Sequence, residues 1–135
     1  MIERLRAIPI FADLGDATLE RIAESAKELD APAGHVLIQP REAGSGLYVV
    51  EEGKVVVELR ERTIELEHGE FFGELSLLVP DATRSARVQA ATDTRCLAFS
   101  RADVERLLES EPGLALAMLR VLARRLLKEI GASEA

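Results

Sequence analysis

Only one cysteine, Cys96, and two histidines occur among the 135 residues. One cysteine cannot close an internal disulfide, and Cys96 lies in the apolar run "RCLAF", which excludes a bridged, secreted scaffold; a reducing cytoplasm is the expected compartment. His35 and His68 stand far apart, with no His-x-His pair and no acid at ligand spacing. Neither a cupin-type metal site nor a Ser-His-Asp or Cys-His triad finds support, so no metal is expected. No apolar run reaches the length of a membrane span, and the start "MIERLRAIPIF" lacks the basic-then-apolar layout of a signal peptide. Basic residues are outnumbered, 17 Lys and Arg against 24 Asp and Glu, for a net charge of -7. That balance provides no clustered basic face for nucleic acid. Internal repeats, linkers and low-complexity segments are also missing, and neither nucleic acid nor membrane is an expected partner of this chain.

What is present is enough apolar material, 47% of residues, for one core that most of the chain helps to bury. Residues 1–135 are therefore read as a single domain. Residues 2 to 27 read as helical, broken at "IPIFADLG", with Leu19, Ile22, Ala23 and Ala26 on one face and Asp16 as N-cap. From Pro32 to Ser100 the pattern changes to short runs separated by glycines: "HVLI", "GLYVVEEG", "KVVVELR", "TIELEHG", "EFFG", "ARVQAAT" and "TRCLAFS". Such spacing predicts a β-sandwich or barrel, with Tyr48 and Cys96 in it and a tight hairpin around Arg60 to Arg62. The segments "EEGK" and "RERTIELE" read as solvated hairpin surface. Ser100 and Asp103 form a capping box that opens a helix through Leu107 and Leu108. "EPG" at 111–113 breaks it, and a last helix runs from about Leu114 to Ile130, ended by Gly131. That helix is apolar on more than one side. It either lies deep in its own domain or offers a second face to another subunit.

The stretch "FFGELSLLVPDATRSARV", residues 71 to 88, carries two charges that buried sheet does not want, Glu74 and Arg84. Gly73 lets another molecule approach the backbone, and the following Glu-Leu-Ser-Leu-Leu can form a short helical turn whose free N–H groups suit an anion. Arg84 would add a planar fork of donors and Ser85 a hydroxyl. An ionised Glu74 only accepts hydrogen bonds, so it would face a donor on the same ligand, such as a sugar hydroxyl. Anion and hydroxyl lie side by side in a nucleotide. On spacing alone, a half-buried Glu74–Arg84 salt bridge that binds nothing accounts for the pair equally well.

"FGELSLL" followed by "RSARV" resembles the phosphate-binding cassette of the cyclic-nucleotide-binding domain family, the type found in the catabolite activator protein and in regulatory subunits of cyclic-AMP-dependent protein kinase. "LIQPREAGSGLYVVEEG" (37 to 53) is similar to the family's earlier signature, departing at Arg41 where glycine is usual. The opening "LRAIPIFADL" and the two closing helices look like its flanks. The resemblance implies an α+β, mainly β fold: an antiparallel jelly-roll-like β-roll (32–100) with an N-terminal helical segment (1–31) and two C-terminal lid helices (101–130). It implies that Glu74 accepts from the ribose 2′-hydroxyl, and that Arg84 holds the cyclic phosphate with Ser85 and backbone groups of Gly73, Glu74 and Ser76. Leu75 and Ala86 belong to the same cassette. Ile64, Leu66 and Val88 fall on the apolar wall that meets the purine. Glu129 and Ile130 stand where the catabolite activator protein reads adenine with hydroxyls, so that mode of recognition does not carry over. Arg124 and Arg125 match its paired arginines; Arg125 either reaches Glu74 or is simply solvated.

The resulting expectation is a non-enzymatic sensor of a cyclic nucleotide, cyclic AMP ahead of cyclic GMP, because Ser85 does not decide the base. Binding would move the terminal helix and signal to an output domain, an effector or a second copy joined through that helix. A ligand-free, degenerate roll acting as an interaction or dimerisation module is the competing expectation.

Overall fold

Among the described residues, the glycine-punctuated middle of the chain folds into eight strands that form two four-stranded antiparallel sheets. A computed structural model describes residues 1–39, 46–79 and 86–131. One sheet has the order β1 (Lys27–Ala31), β8 (Thr94–Ser100), β3 (Gly46–Glu52), β6 (Phe71–Phe72). The other has the order β2 (Val36–Ile38), β7 (Arg87–Ala90), β4 (Lys54–Glu58), β5 (Thr63–Glu67). Helices flank the strands: α1 (Ile2–Arg6), a 3-10 turn (Pro9–Phe11) and α2 (Asp16–Ser25) before them, α3 (Glu74–Leu78) among them, and α4 (Arg101–Ser110) and α5 (Pro112–Glu129) after them. This is the mainly β, α+β roll that the sequence led us to expect.

Two apolar clusters hold it together. Leu5, Ile8, Phe11, Leu19 and Ile22 from the N-terminal segment meet Leu47, Val49, Phe71, Leu97 and Phe99 from the first sheet and Leu114 and Met118 from α5. The second cluster lies on the roll's inner side and includes Ile38, Val50, Val55, Leu66, Phe72, Val88 and Cys96. Tyr48 stacks on Phe72 there, with ring centroids 5.0 Å apart. Burial pushes the Cys96 thiol up to about 12, so it stays protonated and unreactive near neutral pH.

Several local expectations hold. The β4–β5 hairpin closes where Leu59 N–H donates to the Arg62 carbonyl at 2.8 Å. Ser100 Oγ accepts from Asp103 N–H at 3.2 Å, as a capping side chain does. Others need correcting. The N-cap of α2 is Gly15, and Asp16 is the first helical residue, ion-paired with Arg6; an acid in the first turn is favoured by the helix dipole. Helix ends at Ser25 and sheet begins at Lys27, five residues before Pro32, because Leu29 and Ala31 turn inward while Lys27 and Glu28 face solvent. The last helix starts at Pro112, since proline's missing N–H costs nothing in a first turn.

Glu51 is the largest departure. Read as solvated surface, it is only 8% exposed. The ladder between β3 and β8 shifts register between Val50 and Glu52, so Val49, Val50 and Glu51 are buried in succession and the alternation of faces is lost. The inward carboxylate receives Arg4 of α1 at 2.5 and 2.6 Å, and Arg4 also meets Glu28. The Arg4 guanidinium holds the Glu51 carboxyl below the usual range.

Candidate functional site

Cross-strand pairing brings together the three residues expected on the apolar wall. Val57 of β4 lies opposite Ile64 of β5 on one side and Val88 of β7 on the other, and Val55 pairs with Leu66 one step along. Directly opposed residues share a sheet face, so Ile64, Leu66 and Val88 form one apolar surface, with Leu66 and Val88 buried and Ile64 partly so.

The cassette starts at the end of this roll. β6 is only two residues long and pairs Phe71 with Val49 and Phe72 with Tyr48. Gly73 then turns the chain at φ +92°, the left-handed region in which a side chain would be strained, and α3 begins directly after it. That turn places Glu74 in the first helical turn and leaves the residue just 8% exposed. Leu75 points outward, 57% exposed, and Ala86 is half-buried where the chain enters β7. Ser76 lies within α3. Arg84 and Ser85, like Arg41, lie outside the described residues.

A buried carboxylate needs a partner, and α5 supplies one. Arg125 Nη1 donates to Glu74 Oε1 at 3.1 Å, while Nη2 donates to the Phe71 carbonyl at 2.6 Å. The guanidinium lies 4.5 Å from the centroid of the Phe71 ring, a cation–π arrangement. Arg125 is therefore no solvated charge. Leu114, Met118, Val121, Leu122 and Arg125 recur at helical spacing on the inner stripe of α5, whereas Arg124 faces solvent. Farther along, Glu129 forms an ion pair with Arg62 of the β4–β5 turn, so that part of "RERTIELE" docks the helix instead of meeting only water. Neither the role of Phe71 as a seat for Arg125 nor the Arg62–Glu129 pair was visible beforehand, because each joins segments more than 50 residues apart through a carbonyl, a ring or a surface charge.

The outer side of α5 remains uncovered. Leu116, Leu119, Leu126 and Ile130 are between 47% and 62% exposed. The helix does not lie deep in its own fold.

Residues 28–111 match the family model described as the cyclic nucleotide-binding domain. The chain belongs to that family. A cyclic nucleotide-gated potassium channel from Rhizobium etli is 37% identical over 109 residues, which cover 81% of this chain and 30% of the channel. The N-terminal domain of a transcriptional regulator from Streptomyces coelicolor is 35% identical, covers 96% of each chain and superposes with a TM-score of 0.69. The catabolite activator protein of Thermus thermophilus is 31% identical, with 90% of this chain and 59% of that one covered and a TM-score of 0.78. This cyclic nucleotide-binding domain thus spans less than a third of the length of the channel it matches. The matched region stops at residue 111, before Arg125, so the contact of α5 with the cassette is known from the structure alone.

Proposed function

We propose that this chain is a non-enzymatic, cytoplasmic sensor that binds a 3′,5′-cyclic nucleotide, preferentially cyclic AMP, and reports it through the position of α5. Membership of the family supports a cyclic nucleotide as ligand. The observation that carries the mechanism is the bond from Arg125 to Glu74. A ribose hydroxyl donating to Glu74 would share or displace that guanidinium, so occupancy at Gly73, Glu74, Leu75, Ser76, Arg84, Ser85 and Ala86 acts directly on α5. A ligand shifts a helix only by interacting more strongly with one of its positions. Here the candidate for differential interaction is a charged hydrogen bond on the lid itself. The base would rest on Ile64, Leu66 and Val88.

The amide spectrum of isotope-labelled, nucleotide-stripped protein tests this reading. Cyclic AMP is expected to shift resonances of Gly73 to Leu78, of Val88 and of α5 around Arg125 together. Shifts confined to the cassette, with α5 unmoved, would contradict signalling through the helix.

The reading extends to a partner. Leu116, Leu119, Leu126 and Ile130 lie on one side of α5 and fit a second copy of the same helix. Sedimentation is expected to show a dimer that Leu119→Asp dissociates; a wild-type chain that stays monomeric at all concentrations would exclude it.

A further inference from the structure

His68 sits outside the nucleotide site, in the turn between β5 and β6, and faces two carbonyl oxygens at once. Its Nδ1 lies 2.8 Å from the Glu51 carbonyl of β3, and its Nε2 lies 3.0 Å from the Ala7 carbonyl just after α1. Carbonyl oxygens only accept, so both ring nitrogens must carry hydrogen to satisfy both contacts. A neutral imidazole has one N–H; only the imidazolium has two. The turn that presents the ring is held in place. Gly69 N–H donates to the Val50 carbonyl and Val50 N–H to the Glu70 carbonyl, each at 2.8 Å, and a Cβ on Gly69 (φ +84°) would lie 2.6 Å from Pro9 Cδ.

We propose that His68 is a protonation-controlled clasp: as an imidazolium it ties the N-terminal helical segment to strand β3, and on losing its proton it gives up one of the two ties. The clasp is independent of nucleotide. It matters to the fold's far end because the segment it holds carries Leu5, Ile8 and Phe11 into the cluster that seats Leu114 and Met118 of α5.

The charges around the ring come from every neighbouring element. β3 contributes the Glu51 carboxylate, which attracts the imidazolium, and α1 contributes Arg4, which is bonded to Glu51 and to Glu28 of β1. Arg95 of β8 adds positive field at Glu51, and the turn itself carries Glu67 and Glu70. The bond to the Glu51 carbonyl, then that to Ala7, raises the His68 pKa above 6.5, and partial burial only reduces the rise. A group whose pKa is raised on folding stabilises the fold fully below its unfolded value and loses that contribution as pH rises through the folded value. The clasp is therefore closed below the ordinary imidazole range and opens as pH rises through the raised value.

Two measurements on the full chain decide it. The His68 Cε1 proton, identified by its absence in His68→Gln and its persistence in His35→Gln, should titrate above 6.5. A midpoint at or below that value overturns the proposal. Amide exchange at Leu5 and Ile8, corrected for the intrinsic effect of pH, should be slower at about pH 5.5 than at about pH 8 in the wild type, and equal at both in His68→Gln. Equal protection in the wild type, or a pH effect that survives in His68→Gln, also overturns it.

Discussion

Phe71→Ala is expected to destabilise the fold by about 3–5 kcal/mol. Phe71 is 1% exposed and sits in the cluster that joins the N-terminal helices, the first sheet and α5. Its strand is two residues long, so packing of this ring, more than ladder hydrogen bonds, holds the entrance to the cassette. The ring also lies under the Arg125 guanidinium, and losing that contact removes roughly 0.5–2 kcal/mol more of attraction between α5 and the roll. Against a total stability of about 5–15 kcal/mol, the midpoint of thermal unfolding should fall on the order of 10–20 °C. Phe71→Leu separates the two contributions: it keeps apolar volume, so it should recover most of the stability, yet it leaves Arg125 without its aromatic seat. If Phe71→Ala unfolds within about 2 °C of the wild type, the cluster is not the support we describe.

Arg84→Ala is expected to weaken cyclic-nucleotide binding by roughly 1.5–3 kcal/mol, about one to two decades in Kd. We propose this side chain for the cyclic phosphate from its place in the cassette motif. A planar guanidinium can give two parallel hydrogen bonds to two phosphate oxygens, whereas an ammonium acts as a point charge. Arg84→Lys should therefore restore only part of the loss. Equilibrium titration of the two variants beside the wild type reads the effect. A change in Kd smaller than about threefold for Arg84→Ala would remove Arg84 from the phosphate site.

Much of this was legible because it is encoded locally. Glycine-punctuated runs became strands, Ser100 caps α4, and Gly131 closes α5 at φ +64°. Ile64, Leu66 and Val88 were placed on one wall by the family resemblance, and pairing through Val55 and Val57 of β4 puts them on one face. That Arg125 reaches Glu74 was one of two readings left open by the family resemblance, and the inner stripe of α5 brings it there from 51 residues away. What escaped was set by geometry between distant segments. Glu51 reads as surface until a bulge turns it inward, and a bulge leaves no residue-type signature in "VVEEG". Strand β1, "KELDA", carries too few apolar residues to stand out, and its pairing with β8 defines it. In the sequence His68 stands out only as a candidate metal ligand or triad member, since its actual partners are backbone carbonyls, which any residue supplies. The acceptors that decide its chemistry are invisible to a reading of side chains.

The most direct test of the account is a calorimetric titration of cyclic AMP, with cyclic GMP in parallel, into wild-type protein that has been unfolded and refolded to remove bound nucleotide. Saturable binding, tighter for cyclic AMP, is the expected result. A folded protein that takes up neither nucleotide would contradict it, and the roll would then stand as a ligand-free module whose exposed α5 face is its working surface.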